Sequence, residues 1–138
     1  MKTLQVYKKI EESDIPVLDC KIEGLKGVII KSDGKYGIFI NNKEIENSDE
    51  EFMVLAHEWG HYASGTLHHF NSDKSYISQC EYRADRKSII EFLPVERIKD
   101  AIKNGCQTVY EFSEFLDLPE KFIIKAFNHY KAMGKLWN

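Results

Sequence analysis

Residues 52 to 65 read FMVLAHEWGHYASG, and no other stretch restricts the fold as tightly. Apolar Phe52, Val54, Leu55, Ala56 and Trp59 surround the polar trio His57, Glu58 and His61, which predicts a largely buried helix. In a helix His57 and His61, four apart, lie one above the other on one face, with Glu58 about a quarter-turn round. Buried polar groups without partners cost a few kcal/mol each, so the trio, if no metal binds it, needs other hydrogen-bonding partners. Gly60 in mid-helix costs about 1 kcal/mol relative to alanine, which predicts that another element packs closely there.

His-Glu-x-x-His on a helix aims two imidazoles at one point, at a separation that suits tetrahedral Zn²⁺, and leaves the glutamate beside an open coordination position. The plain alternative is a buried helix whose histidines happen to be spaced by four. A catalytic zinc site needs a third protein ligand, and the chain offers two candidates. The first is Glu81 in CEYRAD, with Asp85 one turn later on the same helix face, where it would accept a hydrogen bond from the outward nitrogen of a liganding histidine. Ala84 between them would let two helices approach. Against this, Ser78-x-x-Glu81 also reads as a capping box.

The second candidate is His68 or His69, in the manner of H-E-x-x-H-x-x-G-x-x-H sites. That pattern needs glycine at position 64 and histidine at position 67, where the chain has Ser64 and Leu67, with Gly65 and His68 each one place late. A one-residue slip turns a side chain by about 100° on a helix. His68 and His69 are therefore expected in a loop near the cleft mouth. Together with Tyr62 and Tyr76 they are candidates for stabilising an oxyanion or touching substrate.

Around this centre the pattern predicts an α+β chain: a small antiparallel sheet first and helices after it. Strands are expected near residues 26 to 31 and 35 to 41, joined by an Asp33-Gly34 hairpin turn. The strand at Gly37 to Ile40 is expected to offer its edge to an extended peptide. The active-site helix should run from about Asp49 to Ser64, with Ser48 as N-cap, Glu51 as its capping-box partner and Gly65 as terminator. Four further helical patterns follow: YISQCEYRADRKSIIEFL, PVERIKDAIKNG, TVYEFSEFLDL and PEKFIIKAFNHYKAMG. With 138 residues a single domain is expected over 1–138, with a core at about 22–93 and a C-terminal helical subregion at about 94–138.

A net charge of −3 gives no global attraction to nucleic acid or anionic membrane. Residues 101 to 138 hold five lysines against four acidic residues, too balanced for a DNA footprint despite a helix-turn-helix-like pattern around Leu118-Pro119. No apolar run reaches the ~18 residues of a membrane span, so a cytoplasmic location with no membrane partner is expected. Cys20, Cys80 and Cys106 are odd in number and widely spaced, which predicts reduced thiols.

Taken in order, the strand GKYGIFIN, an acidic helix start, LAHEWGHY, EYRAD, a helix ending in EFLP and a helical tail resemble the ImmA/IrrE-type metallopeptidases of mobile genetic elements and bacterial stress responses. The resemblance spans about residues 22 to 130. It implies a minimal zincin-like fold, one Zn²⁺ held by His57, His61 and Glu81, and Glu58 as general base. It also implies an endopeptidase whose protein substrate is a helix-turn-helix transcriptional repressor. After the E-x-x-A-[ND] pattern such proteins usually continue with an apolar pair, where this chain has Lys87 and Ser88. A different class of function is a non-catalytic metal-binding module of a regulatory or toxin-antitoxin pair, which would recognise a partner without cutting it.

Overall fold

A computed structural model describes residues 2–68 and 71–136. The chain opens with helix α1 (Lys2–Glu12), which buries Thr3, Val6 and Ile10. Its stripe is narrow and interleaved with lysines, so nothing in the sequence reading separated it from a solvated lead-in. Strands β1 (Val17–Asp19), β2 (Gly27–Ser32) and β3 (Lys35–Ile40) then form one sheet. The β2–β3 turn has positive φ at both Asp33 (52°) and Gly34 (77°), as a two-residue type I′ hairpin requires.

The sheet departs from the expected antiparallel form. Its order is β1-β3-β2, with β1 parallel and β2 antiparallel to β3. The strand expected to offer a free edge, β3, is thus central and paired on both sides, and β2 is the edge on the side of the candidate site. The Asn41 amide donates to the Lys26 carbonyl at 2.9 Å, which makes Gly27–Ile40, Ile29–Ile38 and Lys31–Tyr36 the non-hydrogen-bonded pairs. Main-chain groups of Gly27, Ile29 and Lys31 therefore face outward along the β2 edge.

Helix α2 (Ser48–Ser64) packs across the sheet. Its N-cap is Asn47, whose Oδ1 accepts from the Glu50 amide at 2.9 Å, one residue earlier than the expected Ser48. Glu51, freed from capping, accepts instead from Tyr7 Oη of α1 at 2.6 Å. Gly65 ends the helix in the left-handed region at φ 67°, as expected.

Helix α3 (Lys74–Phe92) starts after Asp73, whose side chain makes no capping hydrogen bond, so Ser78 lies inside the helix and is not its cap. Helices α4 (Val95–Lys103), α5 (Val109–Leu116) and α6 (Glu120–Ala132) follow, with a Thr108–Glu111 capping box opening α5. Arg97 of α4 ties α3 to α5 by donating to the Phe92 carbonyl at 2.8 Å and the Leu116 carbonyl at 3.1 Å. A single buried cluster runs from Val6 and Ile10 through Ile38, Phe52 and Leu55 to Ile98, Phe122 and Ile123. Phe52 is its hub, with ring centroids 5.5 Å from Phe92 and 5.1 Å from Phe122. The C-terminal helices thus share one core with the sheet and α2. Among the described residues, no helix is long and apolar enough to cross a membrane, and Cys20, Cys80 and Cys106 are free.

Candidate metal centre

The site forms where α2 and α3 come into close contact. A Cβ added to Gly60 would overlap the main chain of Ala84, including its carbonyl oxygen. Gly60 cannot gain a side chain without separating the helices. Ala84 lies between Glu81 and Asp85 on α3, and this contact carries both carboxylates to the His57–His61 face of α2.

There His57 Nε2 is 2.6 Å from Glu81 Oε2, His61 Nε2 is 3.3 Å from Glu81 Oε1, and the two Nε2 atoms are 3.2 Å apart. Among the described residues this trio forms a group whose ligand atoms all lie within 4.8 Å of one another. Tetrahedral Zn²⁺ with bonds of about 2.0–2.1 Å would set its donors about 3.3 Å apart, close to two of these three distances.

The outward nitrogens are both held. His57 Nδ1–H donates to Asp85 Oδ1 at 2.9 Å, as expected for Asp85. His61 Nδ1–H donates to the Thr66 carbonyl at 3.1 Å, a partner absent from the sequence reading. Since a carboxylate and a carbonyl only accept, each ring carries a proton on Nδ1, which leaves Nε2 as the nitrogen that can take a cation in place of a proton. Two Nε2 atoms beside a carboxylate form a donor set for a cation that displaces the protons between them. Lys125 of α6 extends the chain of contacts, its Nζ 3.3 Å from Asp85 Oδ2.

Charge is distributed accordingly. Burial alone would lower His57, but the hydrogen bond to Asp85 and the charges of Glu58, Asp85 and Glu81 hold it above the ordinary histidine value. Burial and the neighbouring charge of His57 push His61 down. Burial would raise Glu81 and Asp85, yet both end below the usual carboxylate range. His68 and His57 do this for Glu81, and His57 and Lys125 for Asp85. Burial pushes Glu58 up to about 7, against the pull of His57 and of the Ile29 amide, which donates to its Oε1 at 3.1 Å. That amide faces outward from β2, so the edge strand orients the glutamate.

The remaining candidates divide. His68 reaches the cluster, with Nε2 3.1 Å from Glu81 Oε1. Tyr62 packs its ring edge-on against Tyr36, centroids 5.0 Å apart. Tyr76 is exposed on α3 and interacts with Cys80. His69 lies outside the described residues. A cleft of about 670 Å³ opens from His57 and Glu58 toward the start of α6. Compared with models of protein families, with curated proteins and with solved structures, the chain matches none.

Proposed function

We propose that this protein is a zinc-dependent endopeptidase. The observation that carries the reading is the convergence of His57 Nε2, His61 Nε2 and the Glu81 carboxylate on one point, with both Nδ1 atoms tied back and Glu58 alongside. His57, His61 and Glu81 would hold Zn²⁺, which when bound polarises a scissile carbonyl and acidifies water.

Glu58 does the proton work. Held by the Ile29 amide and with its pKa raised to about 7, it takes a proton from the attacking water and returns it to the amine as the C–N bond breaks. Asp85 and the Thr66 carbonyl fix the imidazole orientations. His68 steadies the Glu81 carboxylate. An extended substrate would add along the outer edge of β2, where Gly27 and Lys31 present main-chain groups on either side of Ile29.

The resemblance to ImmA/IrrE-type metallopeptidases points to a helix-turn-helix transcriptional repressor as the substrate and to the cytoplasm as its place of action. Co-expression with the helix-turn-helix repressor encoded nearest the gene tests this. Wild type should cut the repressor, and Glu58→Gln should leave it intact while keeping its zinc. Zinc uptake and repressor binding without cleavage in either protein would favour the non-catalytic interaction module.

A further inference from the structure

The cleft beside His57 and Glu58 has a definite composition. Along α2 it is lined by Glu50, Met53, Val54, His57 and Glu58, which recur at helical spacing. From Asn47 to Glu58 this wall is about 16 Å long. That is room for roughly four or five residues of extended chain. The facing walls are Lys26 and Gly27 of β2 and the first turns of α6 with the preceding Pro119. Gly27 lets β2 lie close against α2 at this point, because a Cβ there would stand 2.5 Å from Val54 Cγ1.

Next to the candidate catalytic groups the lining is apolar: Met53 and Val54 one turn before His57 and Glu58, with Gly27 opposite and the buried Pro119 behind the start of α6. Several of the charges around it are already matched. Lys26 Nζ meets Glu50 Oε2 at 2.6 Å, and Lys125 Nζ meets Asp85 Oδ2 at 3.3 Å. Glu46, Glu120 and Lys121 are exposed and of mixed sign. An acidic side chain would meet more carboxylates than lysines here, and a basic one would find Asp49 and Glu50 already paired with Lys2 and Lys26 and Glu46 and Glu120 open to water. An apolar one would leave water for the half-buried side chains of Met53 and Val54.

We infer that this cleft is a specificity subsite, receiving a large apolar side chain of the substrate peptide next to the scissile bond. The inference rests on the peptidase reading and adds to it the class of residue selected. It also gives the C-terminal subregion a role, since Pro119 and α6 close one side of the subsite.

Amino-acid hydroxamates test it without requiring cleavage, because the hydroxamate anchors on the metal while its side chain samples the adjoining cleft. Leucine, glycine and aspartic acid α-hydroxamates are titrated calorimetrically into the zinc-loaded protein. Leucine hydroxamate should bind about ten- to a hundredfold tighter than the glycine compound, the range expected for burying one aliphatic side chain. Aspartic acid α-hydroxamate should bind no tighter than glycine. In Met53→Glu the leucine preference should fall below about threefold with glycine hydroxamate affinity kept; the wild-type ratio decides alone if that variant does not fold. Equal affinity for all three compounds overturns the subsite and leaves the metal centre standing. A protein that takes up no zinc, or one that takes it up and binds no hydroxamate, overturns both.

Discussion

Gly60 and Ala84 touch so closely that the absent side chain of one is the space filled by the carbonyl of the other. Their contact sets the separation of α2 and α3, and with it the distance from Glu81 to the two histidines. In an isolated helix, Gly→Ala is stabilising by about 1 kcal/mol. Here the sign should reverse. Gly60→Ala is expected to destabilise the protein by about 2 kcal/mol through overpacking and to weaken zinc binding at least tenfold, read by denaturant unfolding and zinc titration.

Asp85 orients His57, and Lys125 holds Asp85. Asp85→Ala should therefore weaken zinc affinity by about ten- to a hundredfold, the usual effect of removing such a support. Lys125→Met should have a smaller effect in the same direction, and Lys125→Arg should restore most of it. Competition with a zinc-binding dye measures all three.

The buried Glu58 carboxyl gives the metal-free protein a pH-dependent weakness. Its folded pKa of about 7 lies above the ordinary glutamate value of 4.5. Between these values the unfolded chain releases the proton while the folded protein keeps it, so the stability this group contributes is intact below about pH 4.5 and lost as pH rises through 7. In chelator, Glu58→Gln should be more stable than wild type by on the order of 2 kcal/mol at pH 8. The difference should shrink toward zero at pH 4.5. Urea unfolding at the two pH values checks this.

What could be read from the sequence was what short-range spacing dictates. The i, i+4 histidines, the Glu81–Asp85 turn, the close approach at Gly60 and the Asp33-Gly34 hairpin each follow from a few neighbouring residues. Missed features depend on distant partners or on the main chain. Thr66 holds His61 mainly through its carbonyl, which every residue possesses, with its hydroxyl at 3.3 Å, and a lone threonine five residues on carries no spacing signal. The parallel pairing of β1 with β3 made β2 the edge strand near the site, and three residues of β1 carry too little pattern to show it. Asn47 outcompeted Ser48 as cap by one position, an ambiguity inherent in adjacent capping residues.

The central claim is the ligand set, and zinc stoichiometry across three proteins tests it most directly. Wild type, Glu81→Ala and His68→Ala are purified, loaded with Zn²⁺, desalted and assayed for metal by elemental mass spectrometry. The account predicts one zinc per chain in wild type and in His68→Ala, and a marked loss in Glu81→Ala. A metal-free wild type, or zinc kept in Glu81→Ala and lost in His68→Ala, would contradict it.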